Sequence, residues 1–219
     1  MASMAHRVAK GLVAGCAVLL GVSVSGCAAP QFTYVANSGA STYFKVPNNW
    51  HEISASALSH ELQQVFGNSG AGWQVAYEAG GNASAGDFLS FATTQPFVFA
   101  EVGPLTSSAS QSLSYDALKD FFLPVTSTER QAQGPSYPLT DFKQIRDETL
   151  TPGQGVHGVR ETFDYTYPDG MADTFDEIAL TNADQTVVYF LVLHCTTSCY
   201  TKDQTQINDV MSSFTVRSP

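Results

Sequence analysis

Apolar runs alternate along this chain with breaks of Gly, Pro, Asn and Ser, and the period of each run predicts its element. Tyr43-Phe44-Lys45-Val46 predicts a strand, stopped by Pro47-Asn48-Asn49, with Trp50 as an aromatic plug behind the turn. Leu58, Leu62, Val65 and Phe66 fall on one helical face, which predicts a helix capped by Ser54 or Ser56 and stopped at Gly67. Gly72 to Ala79 and Pro96 to Val102 are strand-like, and the stretch between them from Gly80 to Gly86 is rich in Gly, Asn and Ser. Ser114 with Asp116 then opens a helix through Tyr115, Leu118 and Phe122, which Pro124 ends. Thr126 to Pro138 is polar and is expected to be a surface loop.

Four strands are predicted next, roughly Asp141 to Leu150, Gly155 to Tyr167, Ala172 to Thr181 and Thr186 to His194. In the second, Phe163, Tyr165 and Tyr167 alternate with Thr162, Asp164 and Thr166, giving an aromatic face and a polar one. Pro168-Asp169-Gly170 and Asn182-Ala183-Asp184 are hairpin turns. Val187 to Leu193 is continuously apolar and is expected to be a central strand covered on both faces. A closing helix carries Ile207, Val210, Met211 and Phe214 behind a capping box at Thr201 and Gln204, and a short strand ends the chain at Thr215-Val216. Tight hairpins between successive strands require antiparallel pairing, so the fold class is α+β: an antiparallel sheet flanked by helices, one domain over residues 41 to 217. The alternative is a curved sheet closing to a cone, of the NTF-like or cystatin-like type.

The opening Tyr43 to Trp50, the antiparallel strands, and the close from Ile207 to Val216 together resemble the PsbP-like fold. It is similar to that fold as found in bacterial lipoproteins of the LpqN type and in the extrinsic photosystem protein that gives it its name. The resemblance implies an α/β/α sandwich used for binding or accessory roles. It brings no catalytic motif with it.

Residues 1 to 30 carry a second resemblance. Arg7 and Lys10 precede an apolar, small-residue stretch from Gly11 to Val24, the layout of a secretory signal peptide and too short for a spanning helix. Val24-Ser25-Gly26-Cys27 resembles the lipobox of bacterial lipoproteins, which implies cleavage before Cys27 and acylation (diacylglyceryl, palmitate) of its thiol. Residues 27 to 40 are then expected to be a lipidated tether. The predicted location is the extracytoplasmic face of the cell membrane.

Composition sharpens this picture. The chain has 219 residues with 20 Asp plus Glu against 10 Lys plus Arg, for a net charge of -10, which argues against nucleic acid as a partner. Processing removes Arg7 and Lys10 but no acid, so the mature body is more acidic still and is repelled from anionic headgroups. Of four cysteines, Cys16 leaves with the signal peptide and Cys27 carries lipid. Cys195 and Cys199 remain, and outside the cytoplasm they are expected to form a disulfide. A metal site from His194, Cys195 and Cys199 is the alternative.

No nucleophile elbow, His-Glu-x-x-His pair, phosphate loop or dinucleotide fingerprint occurs, so no catalytic residue and no cofactor is expected. An acidic run of Glu161, Asp164, Asp169, Asp173, Asp176 and Glu177, with Arg160 as its base, folds back at the 168–170 turn. Its ordinary meaning is a solvated polar face; as a cation site, Asp169, Asp173 and Asp176 are its candidate ligands. Trp50, Phe97 and Phe99 mark the candidate binding surface for an envelope protein or a small apolar ligand. The expected function is a non-catalytic envelope binding module, with an envelope hydrolase of dispersed active site as the alternative. Replacing Cys27 by Ser is expected to leave the protein unprocessed or freely soluble, as read by membrane fractionation and the mass of the mature N-terminus; a membrane-bound, processed variant would overturn the assignment.

Overall fold

Residues 188 to 195 are buried without interruption. Tyr189, Leu191, Leu193 and Cys195 enter one apolar layer, and Phe190 and Val192 enter another. Since successive side chains of a strand point to opposite faces, this strand must lie in a sheet covered on both sides.

The computed structural model describes residues 31–66, 72–81, 83–90 and 93–217. The segment expected to be a signal peptide, Cys27, Gly67 and the side chains of Val65 and Phe66 lie outside the described residues. In chain order the elements are β1 (Phe32–Asn37), β2 (Thr42–Pro47), β3 (Trp50–Glu52), α1 (Ala55–Phe66), β4 (Trp73–Ala79), α2 (Asp87–Ser90), β5 (Phe97–Pro104), α3 (Ser107–Ser112), α4 (Tyr115–Lys119), α5 (Ser127–Gln133), β6 (Thr140–Gly153), β7 (Val156–Thr166), β8 (Ala172–Thr181), β9 (Val187–Thr196), α6 (Thr197–Met211) and β10 (Thr215–Val216). Seven strands form one antiparallel sheet in the order β3-β4-β5-β9-β8-β7-β6, with β9 in the middle. β1, β2 and β10 form a small antiparallel sheet beside it.

Tyr200, Ile207, Val210 and Met211 bring α6 onto one face of the large sheet, where Phe44 and Val46 of β2 also pack. Leu58 and Leu62 of α1, Phe88 of α2 and Leu118 of α4 cover the other. This is the α+β layering the sequence predicts, with helices on both faces instead of one helix inside a cone. Cys195 at the end of β9 and Cys199 in the first turn of α6 are joined by a disulfide, which ties the central strand to its covering helix. So short a loop removes little chain entropy, and its contribution is less than the roughly 3 kcal/mol of a 15-residue loop.

Several elements differ from expectation. Phe32–Asn37, in the stretch expected to be tether, is a strand paired along its length with β2, because Val35 finds a place in the core. The stretch expected as a loop from Thr126 contains α5, started by the Thr126 hydroxyl accepting the Glu129 N–H at 3.2 Å. α3 is started in the same way by Thr106. α4 stops at Lys119, before Phe122, because the Asp120 carboxylate takes the N–H groups of Val125 and Thr126, each at 2.7 Å, and turns the chain. α6 begins at Thr197 under the Thr196 cap; Thr201 instead donates its hydroxyl back to the Thr197 carbonyl, and Asp203 breaks the helical dihedrals just beyond. Phe214 leaves the helix and meets Phe44 edge-on.

β6 is the outermost strand of the large sheet, and its 14 residues are mostly exposed. Three register shifts, Pro152 and alternating charges along it blunt an edge that would otherwise template strand addition. One position on its neighbour allows no side chain at all. A Cβ on Gly158 would lie 2.0 Å from the Ala179 carbonyl oxygen and 2.8 Å from the Leu180 Cα, both backbone atoms of the paired strand. Gly158→Ala is therefore expected to force β7 and β8 apart and cost at least the roughly 1–3 kcal/mol of core overpacking. Thermal denaturation of the purified domain reads this directly, and an unchanged midpoint would contradict it.

Candidate functional site: a groove beside the closing helix

Hairpin register sorts the acidic run. Glu161 stands opposite Glu177, and Asp164 opposite Thr174, while Asp176 is opposite Thr162. With a two-residue period, Glu161, Asp173 and Glu177 point to the face under α1, α2 and α4, and Asp164 and Asp176 to the face under α6. All five are buried, and only Asp169, in the turn, is exposed. The solvated face expected of them is thus absent, because helices close over both sides of the hairpin.

The candidate cation ligands end in three separate places. Asp169 accepts the Met171 N–H in the turn, Asp173 faces His194 at 3.4 Å, and Asp176 is taken up by Arg160 and Tyr200. Among the described residues no group of three or more His, Cys, Asp or Glu is placed to hold a metal. His194 also points away from the Cys195–Cys199 bridge, to the face opposite Cys195. Trp50, Phe97 and Phe99 are core residues at 5%, 0% and 3% exposure, so none presents surface to a partner. Phe97 and Phe99 instead stack around Phe88, with ring centroids 5.5 and 4.7 Å away.

Among the grooves the fold opens, one of about 500 Å³ lies where α6 ends, and another of about 490 Å³ lies between Leu123, Tyr137, Leu139 and Tyr167. α6 packs over β8 and β9, and beside its end Leu150 of β6, Arg160 of β7 and Ile178 and Leu180 of β8 line an opening over the sheet. Leu150, Ile178 and Leu180 form the floor; Met211, Phe214 and Val216 form the wall. Glu148, Arg160 and Ser212 add the polar rim.

Arg160 is held by its fork. Its Nε and Nη2 donate to the two oxygens of Asp176 at 2.9 and 2.7 Å, and the Tyr200 hydroxyl donates to Asp176 at 2.8 Å. Burial works against the Arg160 charge, but the hydrogen bonds and charge of Asp176 outweigh it, so the guanidinium is held above its ordinary range. Tyr200 is likewise raised, by burial first and by the Asp176 charge next. The pair is internally neutral, which leaves Glu148 as the other charged side chain at the rim.

The opposite face carries polar groups inside an aromatic layer. Gln144 donates to Glu161 at 2.7 Å, and Lys119 lies 2.6 Å from Asp147 and 3.6 Å from Glu161. Burial, opposed by the Gln144 hydrogen bond, pushes Glu161 up to about 7. Burial likewise raises Glu177 well above the usual carboxylate range, and raises Asp173 in spite of His194. The His194 ring stacks on Phe175 at 5.2 Å and has no exposure. Sequence reasoning named Arg160 only as a neighbouring base and missed the groove residues. Their signal was available in the hairpin: counting outward from the turn sets Glu161 against Glu177 and puts Arg160 and Asp176 on a common face.

No family model and no curated protein matches the chain. Solved structures similar to it include the PsbP protein CyanoP of Synechocystis sp. PCC 6803, at 16% identity and a TM-score of 0.49, covering 89% of this chain and 98% of that one. LpqN of Mycobacterium tuberculosis, described as involved in cell envelope biogenesis, is similar at 14% identity and a TM-score of 0.47, covering 86% and 91%. The Ran-binding protein Mog1p of Saccharomyces cerevisiae is similar at 11% identity and a TM-score of 0.46, covering 84% and 95%.

Asp176→Ala would strand a half-buried guanidinium and remove the acceptor of Tyr200. The expected loss is about 3–5 kcal/mol, whereas Asp176→Leu combined with Arg160→Met is expected to recover most of it. Urea denaturation of the three proteins checks both statements.

Proposed function

We propose that the chain is a binding module of the cell envelope, held at the membrane by an acylated Cys27, and that the groove between β6–β8 and the end of α6 takes an apolar ligand. The observation that carries this reading is the groove itself: Leu150 and Phe214, over the buried Ile178, Leu180, Met211 and Val216, line an open slot together with Thr149, Thr151, Ser212 and Thr215, and its cation, Arg160, is already paired. Apolar concave surface with a few fixed polar groups is the usual form of a small-molecule site. The N-terminal lipobox supports the anchor, and among the described residues no helix is long and apolar enough to cross a membrane.

A hydrolase is the second reading, and one observation favours it. Asp173 and His194 form a carboxylate–imidazole pair whose outer nitrogen, Nε2, has no hydrogen-bond partner. Both residues are fully buried under aromatic rings, which keeps substrate away and gives binding the better support.

Ser212 lines the groove and is exposed, so Ser212→Trp fills the slot without opening the core. A neutral naphthylamine fluorophore is expected to bind the wild-type domain and to lose about tenfold or more in affinity to this variant, at an unchanged melting temperature. Equal binding by both proteins, or none by the wild type, would overturn the groove as the site. Ester or peptide turnover abolished by His194→Gln would favour the hydrolase.

A further inference from the structure

Glu161 and Glu177 are directly opposed rungs of the β7–β8 ladder, and both side chains are fully buried. Neither oxygen of Glu177 has a hydrogen-bond partner among the described residues, and nor does Oε1 of Glu161. The charged groups around Glu177 come from each element packed there. β7 supplies Glu161, the turn after α4 supplies Asp120, and its own strand supplies Asp176 on the far face. α4 supplies Lys119 with Asp116 beside it, and β6 supplies Asp147 next to the neutral Gln144. β9 places Val192 opposite Glu177, and Arg130 of α5 is committed to the Val125 carbonyl and the Phe142 ring.

Lys119 is therefore the cation available to this set, and Asp147 holds it more closely than Glu161 does. One ammonium cannot neutralise Asp147, Glu161 and Glu177 together. A buried carboxylate with neither a counter-charge nor a hydrogen bond keeps its proton.

We propose that the Glu161–Glu177 pair retains a proton in the folded protein and that losing it works as a latch: ionised Glu177 draws water in past Lys119 and Asp147 and frees α4 and residues 120–125 from the sheet. This strap covers the pair; it is attached by Lys119, by the buried side chains of Leu118, Leu123 and Val125, by the Phe122 ring against Phe88, Phe175 and Phe190, and by the Tyr165 hydroxyl, which donates to the Pro124 carbonyl. The latch is independent of what the groove binds.

The direction of its pH dependence follows from linkage. A carboxyl that holds its proton more tightly folded than unfolded takes up that proton on folding, so its contribution is complete below the unfolded value and declines as pH rises. For Glu161 the decline runs from the ordinary 4.5 up to about 7. For Glu177 it starts at the same ordinary value of 4.5 and continues to a folded value well above it.

Two measurements on the full mature domain test this. Carbon-detected NMR of the glutamate side chains should show at least one of Glu161 and Glu177 as the protonated acid at about pH 6, and carboxylate shifts for both there overturn the proposal. Hydrogen exchange, corrected for intrinsic rates, should show protection of the Leu118–Val125 amides falling as pH rises past 4.5 in the wild type, by up to about tenfold per pH unit for each carboxyl, while the β9 amides stay protected. In Glu177→Gln, which keeps the shape and cannot ionise, that fall should shrink to the share of Glu161, which ends at about 7. An identical pH dependence in both proteins overturns the latch, and if the variant fails to fold, the wild-type NMR reading still decides whether the proton is there.

Discussion

A strand covered on both faces has no solvent side, and β7, β8 and β9 are in that position for most of their length. Every charge on them must find its partner inside the protein or give up its charge. The β7–β8 hairpin carries five buried acids, and the structure resolves them differently on its two faces. Under α6 they are paired: Asp176 with Arg160 and Tyr200, Asp164 with Thr174 at 2.7 Å. Under α4 they are only partly satisfied, with Lys119 divided between two carboxylates and Glu177 left with none.

That asymmetry follows from what covers each face. α6 is a long helix tied to β9 by the Cys195–Cys199 bridge, and it brings Tyr200 as a partner for Asp176, while its Thr197 hydroxyl meets that of Thr174. The other cover is assembled from several separate pieces, α1, α2, α4 and the residues after α4, whose inward side chains are mainly Phe and Leu. They fill space well and provide few hydrogen bonds. The groove has the same origin, because α6 spans β8 and β9 and then ends, leaving an opening beside Leu150 and Arg160 where β10 departs toward β2.

Much of this architecture was legible in the sequence. The strands from Asp141 onward, their two hairpin turns and the doubly covered central strand carry strong periodic signals, and each appears close to its expected bounds. The short helices α3 and α5 left no such signal: no residue of either is buried, and each rests on a Thr cap instead of an apolar stripe. β1 was hidden because a single residue, Val35, is buried along it. The candidate site was read less well. Trp50, Phe97 and Phe99 look like contact residues in a one-dimensional chain, yet the aromatic face of a sheet covered on both sides is core. Acidic residues carry no mark of burial in a sequence; only the hairpin register, combined with helices on both faces, turns a solvated run into a buried one.

The two faces of the hairpin are not mechanically separate. Arg160 and Glu161 are consecutive on β7, as Asp176 and Glu177 are on β8, so the rung that positions the guanidinium at the groove is bonded to the rung that holds the unpaired carboxyls. Close-packed interiors transmit small shifts instead of absorbing them. On the groove side the rung is clamped by a bidentate ion pair, and on the strap side Glu161 accepts from Gln144 at 2.7 Å and lies 3.6 Å from Lys119, while Glu177 has no hydrogen-bond partner among the described residues. The Glu177 end of the rung is therefore the least constrained, on the face opposite the helix that the disulfide ties to β9.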